Sequence, residues 1–134
     1  MVTPIDLTLE FAKLTMLQHR TPASTAAERE GAFGQVAPYR DGALFTSKFA
    51  GKGAWERHRN GDELVHVIDG AATLHLMAED GAQSFALGAG VVAIVPQGMW
   101  HRFESADGIT LMTAMPQPTD HPTVDVEDAR TISP

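Results

Sequence analysis

The chain has 134 residues, of which 43% are apolar and 20% charged, with a formal net charge of −7 and a pI of about 5.2. That length supports one domain with a real core, and the acidic balance excludes an electrostatic footprint for nucleic acid or an anionic membrane. No cysteine is present, so disulfides, thiolate metal sites, iron–sulfur clusters and cysteine nucleophiles are excluded, and any metal must be held by histidine, carboxylate or water.

Residues 1–31 form an N-terminal extension. The opening "MVTPIDLTLEFAKL" lacks the basic start and unbroken apolar run of a signal peptide. No segment reaches the ~20 apolar residues of a membrane span, so a cytoplasmic protein is expected. "DLTLEF" alternates like a strand and is a candidate for pairing with another subunit. "TPASTAAEREG" carries a threonine cap, a proline at the first helical position and a terminal glycine, which predicts a helix. Its only apolar residues are alanines, so it buries little.

Residues 32–115 read as all-β. Alternating apolar runs ("GQVAPY", "ALFTSKF", "AWERH", "ELVHVI", "ATLHLM", "QSFAL", "GVVAIVP", "HRFES", "ITLMTAM") recur between separators that mostly carry glycine with Asp or Asn. The spacing argues for a sandwich or barrel of antiparallel strands. Residues 116–134 are proline-rich and acidic, and read as a surface tail with little core of its own.

Two stretches carry the chemistry. In "WERHRNGDELVHVIDG", alternation puts Glu56 and His58 on one strand face and Trp55, Arg57 and Arg59 on the other. The "RNGD" turn then brings Glu63 back beside His58. In "GVVAIVPQGMWHRFE", Pro96 stops a buried strand, Gly98 turns the chain, and His101 opens the next strand. Two hairpins of this kind can converge at one end of a barrel.

These stretches resemble the two motifs of the cupin family. The first motif runs Gly, five residues, His-x-His, three or four residues, Glu, six residues, Gly; His58, Glu63 and Gly70 fit it here. The second runs Gly, five residues, Pro-x-Gly, two residues, His, three residues, Asn; Gly90, Pro96, Gly98 and His101 match at every interval. The departures are Glu56 at the first histidine, Ala50 at the first glycine with Gly51 one step late, and Ser105 at the terminal asparagine.

The resemblance implies a single-domain jelly-roll β-barrel, a homodimer through sheet and N-terminal contacts, and one divalent transition metal per subunit (Fe, Mn, Ni or Zn). It implies His58, Glu63 and His101 as metal ligands, a two-histidine, one-carboxylate set. Glu56 is then a fourth ligand, or a catalytic general base beside the metal, or a glutamate turned outward to Arg57 or Lys48. The expected activity is metal-dependent chemistry on a small organic molecule, of dioxygenase or isomerase/lyase type. The alternative is a non-catalytic small-molecule-binding module. Alternation turns His66 away from the metal side, and His75 reads as a half-buried strand residue. Trp100 is assigned to packing, and Val65, Val67, Phe103, Met112 and Met115 to core or cavity wall. His19 and His121 receive no role.

Overall fold

A computed structural model describes residues 2–132. In chain order it contains helix α1 (Leu7–Ala12), strand β1 (Leu17–Arg20), the one-turn helix α2 (Ala26–Arg29), and strands β2 (Phe33–Tyr39), β3 (Gly42–Lys52) and β4 (Arg57–His58). Strands β5 (Glu63–Ala78), β6 (Gly81–Gly88), β7 (Val92–Val95), β8 (His101–Pro116) and β9 (Thr119–Asp120) follow, then a 3-10 turn at Ala129–Thr131. Strands β1, β3, β8, β5 and β6 lie side by side, β2 adds to β3, β7 adds to β5, and β4 pairs with β9. This is the all-β cupin barrel that the motifs implied. No helix is long and apolar enough to cross a membrane among the described residues.

The runs "ELVHVI" and "ATLHLM" are one 16-residue strand, β5, and "HRFES" and "ITLMTAM" likewise join as β8. Each long strand bends where separate strands were expected. At Gly70, φ is +81° and a Cβ would sit 2.2 Å from the Gly108 carbonyl oxygen, so only glycine lets the two bends cross. Ser105 stands where the family has asparagine, and its hydroxyl donates to the Ala71 carbonyl (2.7 Å) while accepting the Gly108 amide (3.0 Å), which pins the crossing.

Inward positions Glu63, Val65 and Val67 of β5 are buried, and Leu64, His66 and Ile68 between them are half-buried. Phe49, Val65, Val67, Leu74, Ile109 and Leu111 anchor the interior core, each worth about 1.5–3 kcal/mol by burial. His66 faces outward as alternation required. Met112 pairs with His66 across β8 and shares that outer face, so it is not core or cavity wall.

Both termini depart from the sequence reading. "DLTLEF" is helical: the Asp6 carboxylate accepts the Thr8 and Leu9 amides, and Leu7, Phe11 and Leu14 turn to the protein at helical spacing while Leu9 stays exposed. Capping and a 3.6-residue period outweigh a short alternation. The strand of this region is β1, which runs parallel to β3. The second helix is one turn, capped by Thr25 and not Thr21, because Thr25 and Glu28 form a reciprocal capping box. The acidic tail carries core after all: Ala129 is 1% exposed and, with Val126 and Ile132, packs on Trp55 and Trp100.

Candidate metal centre

Three segments meet at one end of the barrel. The Glu56 and His101 backbones exchange both amide hydrogen bonds at 2.9 Å, and the Gly98 amide donates to the His58 carbonyl at 2.9 Å. Glu63 opens β5 opposite Val95, the last residue of β7. The second-motif turn is thus fastened under the first-motif strand, and the two histidines are brought to the same spot with their rings 5.5 Å apart.

Glu56, His58, Glu63 and His101 each offer a ligand atom, and these atoms lie within 4.8 Å of one another. His58 Nε2 is 2.6 Å from Glu63 Oε1, and His101 Nε2 is 3.1 Å from the same oxygen. Glu56 turns inward, with Oε1 3.3 Å from His101 Nε2 and 4.0 Å from His58 Nε2, so the outward orientation toward Arg57 or Lys48 is not adopted. The side chains of His58, Glu63 and His101 are at most 1% exposed, whereas Glu56 keeps 21%.

The donor set fits a divalent cation. The Met99 carbonyl accepts the Nδ1–H of His101 at 3.0 Å, which leaves Nε2 to point into the cluster. The Thr119 hydroxyl lies 3.1 Å from His58 Nδ1 and can accept its proton, which leaves Nε2 for the cluster there too. Glu63 Oε2 is buried without a hydrogen-bond partner, an orphan that a cation would satisfy. Without a cation, protons take its place. Burial works to raise the Glu56 pKa, but the hydrogen bond and charge of His101, with His58 and His121, hold it well below the carboxylate range. Burial works to lower the His101 pKa, but Glu56 and Glu63 outweigh it and push it up to about 10.

Alternation along 55–59 sends the remaining side chains to the opposite face, where the tail covers them. The Trp55 indole donates to the Val126 carbonyl at 2.7 Å, Arg57 lies 4.6 Å over the Trp100 ring, and Arg57 and Arg59 both pair with Asp120. Trp100 packs there, as the sequence suggested. His75 is spanned between Ser84 (2.9 Å) and Glu104 (3.0 Å) on an outer face. His19 is exposed.

Beside the cluster lies a cavity of about 370 Å³, with Phe45, Phe49, Phe103, Leu111 and Met115 as apolar wall and Glu56, Glu63, Thr119, His121, Arg20 and Arg29 among its polar lining. Small-molecule sites of this size and character are common. Sequence reasoning missed Arg20, Arg29, Thr119 and His121. The alternation of "TDH" complements that of "RHR", with Asp120 meeting Arg57 and Thr119 meeting His58, but nothing in the sequence alone set those two segments side by side.

The Cupin domain family matches residues 44–113, more than half of the chain. No curated protein matches it. The fold is similar to the crystal structure of a cupin-2 domain containing protein from Shewanella frigidimarina, with TM-score 0.62 and 22% identity over 84% of this chain and 94% of that one. Protein NMB1881 from Neisseria meningitidis is similar with TM-score 0.59 and 20% identity, over 86% of this chain and all of that one (100%). Oxalate decarboxylase from Bacillus subtilis is similar with TM-score 0.53 and 23% identity over 59% of this chain, which spans only 23% of that protein. Motifs, barrel topology and family match agree: this chain belongs to the cupin family.

Proposed function

We propose that this cupin is a metal-dependent enzyme acting on a small organic molecule, with His58, Glu63, His101 and Glu56 holding one divalent transition metal (Fe, Mn, Ni or Zn). The observation that carries the reading is the convergence of four ligand atoms within 4.8 Å, beside a cavity large enough for a small substrate. Manganese has an additional pointer, because a similar Bacillus subtilis oxalate decarboxylase structure (26% identity, TM-score 0.50) is described as having Mn(II) centres.

When bound, such an ion supplies Lewis acidity to a carbonyl or carboxylate oxygen, and redox chemistry if it is iron or manganese. The chain supplies the rest. Two glutamates and two histidines leave a divalent ion formally neutral, so the site itself attracts an anionic ligand less strongly than a three-histidine set does. Glu56 and Glu63 both line the cavity, but Glu56 is the more open of the two at 21% side-chain exposure, so its carboxylate is the group that can also take or return a proton. His121 donates Nδ1–H to the Trp55 carbonyl at 3.2 Å, which leaves its Nε2 as a second proton acceptor at the cavity wall. The phenylalanines and Met115 give the cavity an apolar wall beside the cluster.

Elemental analysis of tag-free protein purified without chelator tests the reading. About one transition metal per chain is expected, by the four-ligand geometry. A folded protein with no metal would instead favour the non-catalytic binding module. We also read the protein as a cytoplasmic homodimer: Val92 and Ile94 are 55% and 53% exposed beside Leu64 and Met112 on the outer face, an apolar patch suited to a second copy. Light scattering on the eluting peak checks the mass.

A further inference from the structure

The barrel strands supply only part of the cavity. The remaining wall comes from the N-terminal segment, where β1 lies along β3 and ends at Arg20. The chain turns at His19, which sits at φ +58°, immediately before Arg20. Gly51, at φ +108°, lets β1 approach, since a Cβ there would be 2.2 Å from the Arg20 carbonyl oxygen. Gly53 leaves the room that the guanidinium fills, since a Cβ there would be 2.9 Å from Arg20 Nη1. The Arg20 Cζ then rests 4.4 Å from the Phe49 ring centre and 5.0 Å from that of Phe33.

Arg20 lines the cavity, yet among the described residues it has no carboxylate at salt-bridge distance. Four other arginines do: Arg57 and Arg59 hold Asp120, Arg102 holds Asp125, and Arg130 holds Asp128, whereas Arg40, in the exposed β2–β3 turn, turns to Tyr39. Burial lowers the Arg20 pKa to about 10, and nearby Arg29 acts in the same direction, while the charge of Glu56 opposes both. A guanidinium fixed by two rings, with its donors unpaired and apolar walls around it, is preorganised for a planar anion.

We propose that Arg20, supported by the charge of Arg29, is a carboxylate-binding subsite of the cavity, and that the ligand of this site is a small carboxylic acid with an apolar body. This rests on the reading of the cavity as a substrate site. The carboxylate is held by the guanidinium fork, the body lies against Phe45, Phe103 and Leu111, and the far end of the molecule reaches toward Glu56. The basic wall supplies the anion attraction that a charge-neutral metal set gives up. Specificity therefore resides in a segment outside residues 44–113, where the family match lies.

The test is calorimetric titration of the full chain, metal-loaded and chelator-treated, with benzoate, phenylacetate, pyruvate and isobutyrate, and with benzamide, phenylacetamide and phenyl phosphate. Wild-type protein is expected to bind at least one carboxylate roughly tenfold or more tightly than its amide, by the strength of a charge-assisted bond. Arg20→Gln is expected to erase that preference while metal content stays unchanged, and Arg20→Lys to restore part of it. Because Arg20 also packs, thermal melts accompany each variant; if the glutamine variant does not fold, the wild-type preference and the lysine variant decide. Binding of none of the carboxylates, equal binding of acid and amide, a preference that survives Arg20→Gln, or phenyl phosphate bound more tightly than benzoate overturns the assignment. If wild-type protein takes up no metal but the Arg20-dependent preference remains, the subsite stands and only the metal reading falls.

Discussion

The cavity has two walls of different origin. One is built by β2, β3, β5, β8 and Glu56, where ladder bonds and the Glu56–His101 backbone pair hold the backbone that carries the cluster. The other is built by the termini: Arg20 and Arg29 from before the barrel, Thr119 and His121 from after it. The first wall brings ligands to a point, as its strand geometry demands. The second completes them, giving His58 its Nδ1 partner and the cavity its positive charge. On the proposed reading, chemistry sits on the rigid wall and selectivity on the attached one.

The largest expected effect lies on the barrel wall. His101→Ala should abolish stoichiometric metal uptake, read by elemental analysis, and should destabilise the metal-free protein by about 3–5 kcal/mol, since it removes the nearer partner of Glu56 and leaves Glu63 with His58 alone. Retained full occupancy would mean that His101 is not a ligand. Where the tail docks on the barrel, Trp55→Ala removes a 2% exposed indole and its bond to Val126. A loss of about 3–5 kcal/mol is expected, together with protease cleavage after residue 117 that wild-type protein resists. If the tail stays protected, Trp55 is not its anchor.

Thr119→Val tests whether the attached wall reaches the metal. Losing the partner of His58 Nδ1 should weaken metal binding roughly 10–100-fold with little change in melting temperature; an unchanged affinity would confine the tail to packing. Glu56→His, which installs the family's more usual residue, should preserve or tighten metal binding. Expulsion of the metal from a folded variant would show that Glu56 does not occupy that histidine's place.

The pH response sharpens the comparison further, since it belongs to the barrel wall. The groups facing His101 are Glu56, Glu63 and His58, and the folded pKa of His101 lies at about 10 against an ordinary 6.5. Its protonated form therefore stabilises metal-free protein fully below about pH 6.5, and that contribution is lost as pH rises toward 10. Chelated protein should melt progressively lower over this interval, while metal-loaded protein, which needs the imidazole neutral, should not. Parallel melting curves for the two forms would remove the ion from His101.

Much of the site was legible in the residues. Alternation placed Glu56 and His58 on one face and His66 on the other, and turn residues such as Gly70, Pro96 and Gly98 marked where strands bend or stop. The legible calculus failed at the edges for physical reasons. Met112 obeyed alternation but its strand's inner and outer faces were assigned from composition alone. "DLTLEF" satisfies both a two-residue and a 3.6-residue period over its short length, and the Asp6 cap decides between them only once the chain is folded.

By itself, then, the amino-acid order determined an all-β sandwich or barrel, a cupin one by its resemblance, and three of the four side chains that meet in it, with the orientation of Glu56 left open, because hydrophobic period, turn chemistry and motif spacing are local properties. Only the tertiary structure decided what surrounds them. That Thr119 would back His58, that Trp55 would dock the tail and that Arg20 would enter the cavity unpaired all depend on contacts between residues distant in sequence. Such contacts have no period to read. They exist only where separate segments are packed against the same sheet.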